Sequence, residues 1–549
     1  MVLRGEVSPI VTKILENRGI TATELEDFLH PTLDKLAKPE ELPGIDKAAD
    51  LILDSILYRR KIVVFGDYDC DGVCATAIVS RTLRALGGDV TEFIPDRLTE
   101  GYGMSEASIA RMLKGNPGVG LVVTVDNGIN SVAEVTNLKR KWSSVVVTDH
   151  HLPGDELPDA NAIVNPKVAA PPHLQNLCGA GVAFMLANRI VSEAKRRGMY
   201  KGPSIGGPLL VLAGLATVTD IMPLLGQNRI LVSEALKRFF ACAPTGLKEL
   251  HARAARAGAA ELTTRDFSFM LGPRINAAGR VVDFGAAQAL ELVVSEDKEI
   301  VRELARLVDG YNVERKAIEQ RMTDEALAKV VPGAPAQVID LSDGHPGVAG
   351  IVAARVMERL DRDVPVCVYA GGHGSARAPD GFNIRDAFVA CDEVLERYGG
   401  HAAAGGFGVK EGRIDDFRRM LCEYCEKFAA AVPSVAEKRG EPDLWVEPAD
   451  LTLELAEELR QLEPFGEGNR EPVFGLKGVL LADAKPLGME GKHLAVTLRN
   501  SGLKAVWWNH GDLVEKLRAE SAAPHDITFT LAVSDYGERH AELRITGIR

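Results

Sequence analysis

The sequence predicts an α/β protein with four parts: a lobe built on a parallel sheet, a long connecting helix, a second α/β lobe and a small C-terminal β-barrel. Three observations predict it. Short β-branched apolar runs alternate with helix-like segments in the first half. A long charged segment then keeps helical spacing, and the last hundred residues contain short strands separated by turns. The apolar runs of the first half are typical of strands covered on both faces by helices.

The first lobe is predicted from three runs: Lys61–Phe65, Gly120–Val125 and Ser144–Thr148. Helix-like segments at Gly72–Leu86 and Ser105–Leu113 lie between them. Because the runs are apolar throughout rather than alternating, each is predicted to be a buried parallel strand.

The segment Glu296–Val331 is heavily charged but repeats apolar residues at helical spacing. A stripe that narrow indicates a helix that bridges two domains. The run from Pro332 to Pro335 ends it, and a second α/β pattern continues to about Val432.

The two ends of the chain differ from its middle. Residues 1 to about 55 have the pattern of short helices, and Leu494–Leu498 and Ile527–Val533 are among the short C-terminal strands. We therefore expect five segments, with boundaries at 1–55, 56–295, 296–331, 332–432 and 440–549.

Composition limits the functional class. At 549 residues with a formal net charge of −13, the chain is large enough for several domains and too acidic to coat nucleic acid non-specifically. A nucleic-acid enzyme is not excluded, because a basic channel can lie in an acidic protein.

The eight scattered cysteines and the N-terminal start without an apolar signal region predict a reduced, cytoplasmic location. Cys422 and Cys425 are predicted to pack on a helix face, with zinc or redox use as the alternative.

Acidic residues and histidines follow three predicted strands directly. The first strand is followed by GDYDCDG, the second by Asp126-Asn127-Gly128, and the third by Asp149-His150-His151. The carboxyl ends of parallel strands meet at one edge of a sheet, which is where such sheets bind ligands. Crowded carboxylates repel one another, and divalent ions relieve that repulsion. Aspartates with one or two imidazoles suit Mn²⁺ or Mg²⁺, and two such ions about 3.5–4 Å apart activate a water and stabilise a phosphorus transition state.

Each of these motifs has another interpretation when taken alone. GDYDCDG could be an Asx-rich turn or a calcium loop, although it lacks the distal glutamate of an EF-hand. The Asp126 motif could be an ordinary strand-to-turn junction, and paired histidines are often structural. Their common position after three strands favours a metal site and a two-metal phosphodiester hydrolase.

At this point the chain resembles the DHH phosphoesterase superfamily, named for Asp149-His150-His151, and within it the RecJ family of single-strand-specific 5′→3′ exonucleases. The resemblance runs from about residue 40 to the C-terminus. It rests on motifs in the family order: VVFGDYDCDG, IPDRLTEGYG, VTVDNGI, VVTDHHLPG, ATVTDIMPL, LGPRINAAGR, HPGVAGI and GGHAAAGG. It implies a DHH catalytic lobe, a DHHA1 lobe and an OB-like C-terminal domain.

The resemblance also implies roles for individual residues. The metal ligands would be Asp69, Asp71, Asp126, His150 and Asp220. Asp149 would orient a histidine, and His151 would face the scissile phosphate as electrophile or general acid. Asp67 would be a further ligand or a support. Asp220 has no signal of its own beyond closing an apolar run, where a buried carboxylate needs a partner.

Substrate contacts are implied in the same way. Arg280 of INAAGR would meet DNA phosphates and assist catalysis, with a surface salt bridge as the alternative. In the second lobe, Gly399, Gly400 and His401 would bind a phosphate, beside Ser375 and Arg377.

The chain departs from the family pattern at two places. Ala378 stands where relatives commonly have serine, which puts a hydroxyl contact to the DNA backbone in doubt. Gly344-His345-Pro346-Gly347 stands where relatives have WHQG, so that an aromatic residue is missing. Neither change affects an expected metal ligand.

Two further features bear on single-strand binding. Trp507 and Trp508 are candidate stacking residues of the OB-like domain, and strand alternation predicts that at most one of them stacks. The basic run Lys195–Arg197 either tracks backbone phosphates or forms a solvated helix end.

The resemblance implies a single-stranded-DNA-specific exonuclease that releases 5′-mononucleotides with two Mn²⁺ or Mg²⁺ ions, in DNA recombination and repair. It further implies a single-strand binding protein and a RecQ-type helicase as partners, with a monomer as the default state. Two alternatives stay open: a phosphodiesterase for short oligonucleotides or cyclic dinucleotides, and a non-catalytic DNA-binding scaffold in replication.

Overall fold

The computed structural model describes residues 7–97, 99–101, 103–141, 143–254, 262–360, 364–431, 441–534 and 539–549. The start of the first expected segment, residues 1–6, lies outside the described residues, as do the boundary positions 432 and 440. In IPDRLTEGYG, positions 98 and 102 also lie outside them.

The helices are, in chain order, α1 Pro9–Asn17, α2 Leu25–Leu29, α3 Ile45–Leu57, α4 Cys70–Ala85, α5 Glu106–Gly115, α6 Val132–Arg140, α7 Pro166–Ala169, α8 Gly179–Arg196, α9 Gly206–Thr219, α10 Gly226–Cys242, α11 Thr245–Ala254, α12 Thr264–Asp266, α13 Gly272–Val281, α14 Gly285–Val294, α15 Lys298–Ala328, α16 Ala349–Arg359, α17 Ile384–Ala390, α18 Ile414–Ala431, α19 Leu453–Leu459 and α20 Val514–Ala519. The strands are β1 Lys61–Phe65, β2 Val90–Phe93, β3 Val119–Val125, β4 Ser144–Thr148, β5 Ala162–Val164, β6 Gln337–Leu341, β7 Val366–Ala370, β8 His373–Arg377, β9 Leu395–Gly400, β10 Ala404–Val409, β11 Leu444–Trp445, β12 Phe474–Leu487, β13 His493–Leu498, β14 Lys504–Trp507, β15 Pro524–Ser534 and β16 His540–Ile548. Contacts divide the chain into a small unit of residues 1–36, 223–234 and 438–549, and a large unit of residues 37–222 and 235–437.

The large unit begins with a five-stranded sheet in the order β2-β1-β3-β4-β5, and every pairing in it is parallel. Its three central strands, β1, β3 and β4, are buried almost throughout, as expected for strands covered on both faces. The predicted parallel sheet is therefore confirmed.

A second sheet of the large unit has the order β6-β7-β8-β10-β9, and only the β6–β7 pairing is parallel. Separate apolar clusters cover its two faces. Helix α15 precedes it and has 31 residues, with an N-terminal cap from Asp297, whose carboxylate accepts from the backbone N–H groups of Glu299 and Ile300. The predicted long helix is thus present, and it is slightly shorter than the pattern over 296–331 suggested.

The small unit contains a barrel in which β12-β13-β14-β16-β15 close through the β12–β15 pairing. Its core takes apolar residues from both ends of the chain. Arg229, from the inserted segment 223–234, is 1% exposed and donates to the carbonyl oxygens of Phe28, Leu462 and Glu463. Sequence reasoning placed this segment with residues 56–295, and only the tertiary contacts group it with the barrel.

In the part of the chain that the structure describes, no helix has the length and apolar character needed to cross a membrane. The longest apolar run forms α9, whose residues from Leu209 to Val218 are all buried. The eight cysteines are free thiols, and Cys425 packs into a core cluster on α18.

Helix α8 ends in an ion-pair cluster around the Glu193 carboxylate. The Glu193 carboxylate is 2% exposed and accepts from the guanidinium groups of Arg196, Arg197 and Arg189. Arg197 also pairs with Asp54 of α3. The hydrogen bonds from Arg196 and Arg197 hold the pKa of Glu193 well below its usual range. Because these arginines are already paired, the basic run behaves as a helix end.

We predict that Glu193→Gln lowers the thermal denaturation temperature at neutral pH. The pKa of Glu193 is lower in the folded than in the unfolded protein, so its stabilising effect is fully present above the unfolded value near 4.5 and is lost as the pH falls below it. Melting curves of both proteins between pH 7 and pH 3.5 should converge on the acidic side. A difference that stays constant over this range would contradict the prediction.

Candidate metal centre and substrate cleft

The carboxyl ends of β1, β3 and β4 lie together at one edge of the first sheet. The register pairs Phe65 with Thr124 and Val125 with Thr148, so the three strands end side by side. The aspartates and histidines that follow them therefore enter one crevice, as the sequence predicts.

The loop after β1 turns directly into α4. Asp69 is the N-cap of this helix, and its Oδ1 accepts from the backbone N–H groups of Asp71 and Gly72, at 3.0 Å each. The pattern predicts a helix from Gly72, whereas the helix begins at Cys70 and Asp71 lies in its first turn. A side chain at Gly72 would come within 2.5 Å of the Asp67 carbonyl oxygen, so the loop closes tightly only with glycine there.

The Asp71 carboxylate is held by the N-terminus of α8. The backbone N–H groups of Gly179 and Ala180 donate to its two oxygens, at 2.7 Å each. The positive end of the helix dipole adds to this stabilisation of negative charge. A Cβ at Gly179 would lie 2.6 Å from Oδ1 of Asp126, so glycine permits the close approach of α8 to a second carboxylate.

Asp126 and Asp220 reach the same crevice from β3 and α9. Asp126 has a φ of 61°, a left-handed conformation that aspartate adopts more readily than most residues. Asp220 is the C-cap of the buried helix α9. Ile221, which follows it, also has a positive φ, and such strain in a β-branched residue is concentrated at functional sites.

His150 lies at the centre of this group. Its Nε2 is 3.2 Å from Oδ1 of Asp126, 3.6 Å from Oδ2 of Asp71 and 3.7 Å from Oδ2 of Asp220. Three overlapping sets have their potential ligand atoms within 4.8 Å of one another: Asp71, His150 and Asp220; Asp67, Asp69 and Asp126; and Asp126, His150 and His151. The structure therefore brings all five expected metal ligands, with Asp67, into one cluster.

The electrostatics of the cluster fit divalent cations. Burial and neighbouring aspartates raise the pKa of Asp67 to about 8 and that of Asp220 to about 9, and they also raise the pKa of Asp126 and Asp69. Oδ1 of Asp126 and Oδ2 of Asp220 are buried without a hydrogen-bond donor. A buried oxygen without a partner is costly, and a cation would supply the missing partner.

Asp149 orients His151 rather than joining this cluster. Its Oδ1 lies 2.7 Å from Nδ1 of His151, and Oδ2 accepts from the Ile129 N–H. Burial opposes ionisation of both groups, but their hydrogen bond lowers the pKa of Asp149 and raises that of His151 to about 9. The bond to Asp149 orients the His151 ring and favours its protonated form, with Nε2 on the side away from Asp149.

A cleft of about 390 Å³ lies beside the metal crevice, between the two sheets of the large unit. Its lining includes Arg97 from the first lobe and Ser375, Arg397 and Gly399 from the second. The Arg97 guanidinium lies 4.6 Å from the ring centre of Tyr68, and its Nη1 is buried without a hydrogen-bond acceptor. The Arg97 guanidinium thus has a donor at the cleft that an anionic ligand could satisfy.

Arg280 and Arg377 lie close behind this cleft. Burial lowers the pKa of both, and the charge of Arg97 lowers both further. No ion pair joins Arg280 to a carboxylate of the described residues; Nη1 lies 3.4 Å from the Gly347 carbonyl oxygen. The alternative role of a surface salt bridge is therefore wrong for Arg280.

Two of the expected phosphate contacts, Gly400 and His401, are not among the residues that line the cleft. Gly400 has a φ of 129° at the end of β9, where a Cβ would meet the Ala404 carbonyl oxygen at 2.4 Å. His401 follows it, is exposed, and donates its backbone N–H to the same carbonyl. The structure thus assigns these two residues to a hairpin turn, while Ser375 and Gly399 face the cleft.

Ala378 lies on the core side of the second lobe. Ser375 lines the cleft, whereas Ala376 and Ala378 are buried in the apolar cluster of that lobe. A serine at position 378 would lie at that core, and Ala378 is not among the residues that line the cleft. Pro346, at the other departure, lines the cleft directly.

The tryptophans of the barrel divide as strand alternation predicts. Trp507 ends β14, packs against the core and lies over His510 at 4.0 Å between ring centres. Trp508 is 48% exposed and meets His493 edge-on. Trp508 is therefore the residue available for stacking.

Sequence reasoning missed three residues of this region. Arg97 lies in the IPDRLTEGYG motif, Asn276 in INAAGR and Gly179 at the start of α8. The first two belong to motifs that resemble the family, which is a signal that could have identified them. Gly179 has no signal in the sequence beyond being a glycine, because its role depends on Asp126 lying opposite.

Family models match three segments: the DHH family N-terminal domain over residues 61–209, the DHHA1 domain over 333–427 and the RecJ OB domain over 442–546. The chain is 37% identical over 508 residues to the single-stranded-DNA-specific exonuclease RecJ of Thermus thermophilus, covering 92% of this chain and 71% of that protein.

The chain belongs to the RecJ family.

Other members agree. The RecJ of Bacillus subtilis is 35% identical over 520 residues, which cover 93% of this chain but 64% of that relative. The RecJ of Escherichia coli is 34% identical, covering 86% of this chain and 84% of the relative. The crystal structure of Thermus thermophilus RecJ in complex with Mn²⁺ matches with a TM-score of 0.84 and 33% identity, covering 99% of this chain and 76% of that one. The complex of the same RecJ with Mg²⁺ matches with a TM-score of 0.77 and 31% identity, covering 99% and 75%.

We predict that Gly179→Ala weakens Mn²⁺ binding by about tenfold or more, because the added methyl group displaces Asp126 or the α8 amides that hold Asp71. Isothermal titration of the purified protein with Mn²⁺ measures this. Gly181→Ala is the matched control in the same helix, since its Cβ would come no nearer than 3.3 Å to Leu177. Equal Mn²⁺ affinity in the two variants would refute the prediction.

Proposed function

We propose that this chain is a single-stranded-DNA-specific exonuclease that degrades DNA from the 5′ end and releases 5′-mononucleotides, acting in DNA recombination and repair. One observation carries the proposal. Buried aspartates surround His150, with two carboxylate oxygens lacking partners, at a sheet edge beside an arginine-lined cleft. Membership of the RecJ family supports the choice of substrate.

The proposed cofactors are two divalent cations, Mn²⁺ or Mg²⁺. The residues that would hold them are Asp69, Asp71, Asp126, His150 and Asp220, with Asp67 as a further ligand or support. When bound, the cations neutralise the carboxylates, lower the pKa of a water molecule and stabilise negative charge on phosphorus oxygens. The amides of α8 keep Asp71 in place throughout.

His151 has the properties of a proton donor on the leaving side. Its hydrogen bond to Asp149 fixes the ring and keeps the imidazolium protonated, with Nε2 directed away from that carboxylate. An imidazolium in this position donates a hydrogen bond to a phosphate oxygen and a proton to the departing oxygen. Asp149 acts on the substrate only through His151.

The arginines bind the phosphates that flank the reacting bond. Arg97, Arg280 and Arg377 destabilise one another's charge, so an anion between them relieves repulsion as well as forming hydrogen bonds. Ser375 and Gly399 contribute a hydroxyl and backbone N–H groups from the second lobe. His401 and Gly400 would support the β9–β10 turn.

The proposed division of the chain keeps the expected boundaries: a helical extension at 1–55, the DHH domain at 56–295, the connecting helix at 296–331, the DHHA1 domain at 332–432 and the OB-like domain at 440–549. Residues 223–234 are the exception, because their contacts group them with the OB-like domain. The segments matched by family models lie inside the proposed DHH, DHHA1 and OB-like domains. The proposed partners are single-stranded DNA, a single-strand binding protein and a RecQ-type helicase. The proposed location is cytoplasmic, and the proposed state is a monomer.

The proposal predicts Mn²⁺-dependent loss of nucleotides from the 5′ end of a single strand. Single-stranded DNA, duplex DNA and a dinucleotide, each labelled at the 5′ end, are incubated with Mn²⁺ or with a chelator, and the products are separated by size. The first labelled product should be a mononucleotide, and it should form from the single strand. It should form with Mn²⁺ and not with the chelator. Asp126→Ala should reduce the rate by at least about 10³-fold, because it removes a ligand from the centre of the cluster. Consumption of the dinucleotide alone would favour the oligonucleotide phosphodiesterase, and binding without hydrolysis would favour the scaffold.

We predict that Arg97→Ala weakens single-stranded DNA binding and lowers the salt dependence of binding by about 0.7 in log K against log salt, the value for one phosphate contact on a single strand. Fluorescence anisotropy at several salt concentrations measures both quantities. Mn²⁺ affinity should not change, because Arg97 is outside the ligand cluster. The exposed Arg302 of α15 provides the control, and an Arg302→Ala variant with the same salt slope as Arg97→Ala would contradict the assignment.

A further inference from the structure

Helix α13 packs directly against the loop that carries Asp69 and Asp71. The side-chain Oδ1 of Asn276 accepts a hydrogen bond from the backbone N–H of Cys70, at 2.7 Å. Cys70 lies between the two aspartates and is the first residue of α4. The bond therefore joins two segments that are 206 residues apart in the chain.

This bond completes the capping of α4. A helix leaves its first backbone N–H groups without partners inside the helix. Asp69 satisfies those of Asp71 and Gly72 with its Oδ1, and Asn276 satisfies that of Cys70. With Cys70 held by an amide from another helix, the Asp69 side chain needs only one of its oxygens for capping. Its Oδ2 takes no part in these capping bonds, and Asp69 is within ligand distance of Asp67 and Asp126.

The packing of α13 supports the same arrangement. Gly279 lies three residues after Asn276, on the same side of the helix. A Cβ at Gly279 would come within 2.6 Å of the Tyr68 carbonyl oxygen. Helix α13 thus contacts the loop at two points, Tyr68 and Cys70. At Tyr68, glycine leaves no side chain between the helix and the loop. At Cys70, the Asn276 side chain bonds to the backbone N–H.

We propose that Asn276 is a positioning residue for the metal centre, which sets the orientation of Asp69 and Asp71 through Cys70. The inference rests on the proposed function of the cluster as a two-cation site. It assigns Asn276 a role that differs from that of Arg280 in the same motif, because Asn276 bonds to the backbone beside the ligands, whereas Arg280 contacts the Gly347 carbonyl oxygen behind the cleft. Residues that orient ligands through hydrogen bonds contribute strongly to metal affinity.

The test compares three variants of the full chain. Asn276→Ala removes the acceptor, and Asn276→Asp keeps an oxygen at the same position. Asn383→Ala is the matched control, since Asn383 caps α17 in the second lobe by accepting from the Arg385 backbone N–H at 3.1 Å. Mn²⁺ binding is measured without DNA, from the electron paramagnetic resonance signal of free Mn²⁺. Urea unfolding is measured on the same samples.

We expect Asn276→Ala to weaken Mn²⁺ binding by about tenfold, and Asn383→Ala to leave it unchanged, with similar losses of stability in both. Excess Mn²⁺ should restore the exonuclease rate of Asn276→Ala. Asn276→Asp should keep Mn²⁺ affinity within about threefold of the unchanged protein, because its carboxylate accepts the same hydrogen bond. If Asn276→Ala does not fold, this aspartate variant decides the question.

Two results would overturn the inference. One is an Asn276→Ala variant that binds Mn²⁺ as tightly as the Asn383→Ala control, whether or not it binds DNA more weakly. The other is an Asn276→Asp variant that folds but binds Mn²⁺ about tenfold more weakly than the unchanged protein, which is the loss expected for Asn276→Ala. Failure of the proposed function has a different signature, in which the unchanged protein binds Mn²⁺ and leaves single-stranded DNA intact.

Discussion

Burial of several carboxylates in one crevice is the constraint on which the large unit depends. Asp67 and Asp126 are buried, Asp69 and Asp220 are partly buried, and the four repel one another, so their pKa values are all raised. A fold cannot hold such a group ionised unless opposite charge is supplied. His150 and His151 lie in the cluster itself, and burial lowers the pKa of His150. The charges of Arg97 and Arg280 act on Asp67 and Asp69, but the pKa values of these aspartates stay raised. The cluster is thus built for cations from outside the chain.

The surrounding backbone limits the cost of this arrangement. The N-terminus of α8 stabilises Asp71, the start of α4 is capped by Asp69, and Asn276 holds the remaining amide. Each of these contacts satisfies a backbone N–H group that the end of a helix would otherwise leave without a partner. The same hydrogen bonds that stabilise the helix ends therefore also fix the directions of the carboxylates, which links folding of the lobe to the geometry of the site.

Opposite charges are separated into adjacent regions. The crevice collects carboxylates, while Arg97, Arg280 and Arg377 lie by the cleft without carboxylate partners among the described residues. A phosphodiester is complementary to both regions, since cations bound in the crevice and the arginines each attract its oxygens. The net charge of −13 gives no hint of this local arrangement, because it averages over two regions of opposite sign.

The sequence by itself determined which strands form the parallel sheet and that acidic and histidine side chains meet at its edge. Strand burial and the end of a strand are local properties, so β1, β3 and β4 with Asp69, Asp126 and His150 could be predicted from runs and spacing. Asp220 followed only from family resemblance, because α9 has no polar pattern that marks its end as a site. Tertiary structure alone decided the roles of Gly179, Arg97 and Asn276 and the grouping of residues 223–234 with the barrel. These roles depend on groups far away in the chain, such as the Asp126 carboxylate opposite Gly179, and no local pattern records what lies across a contact.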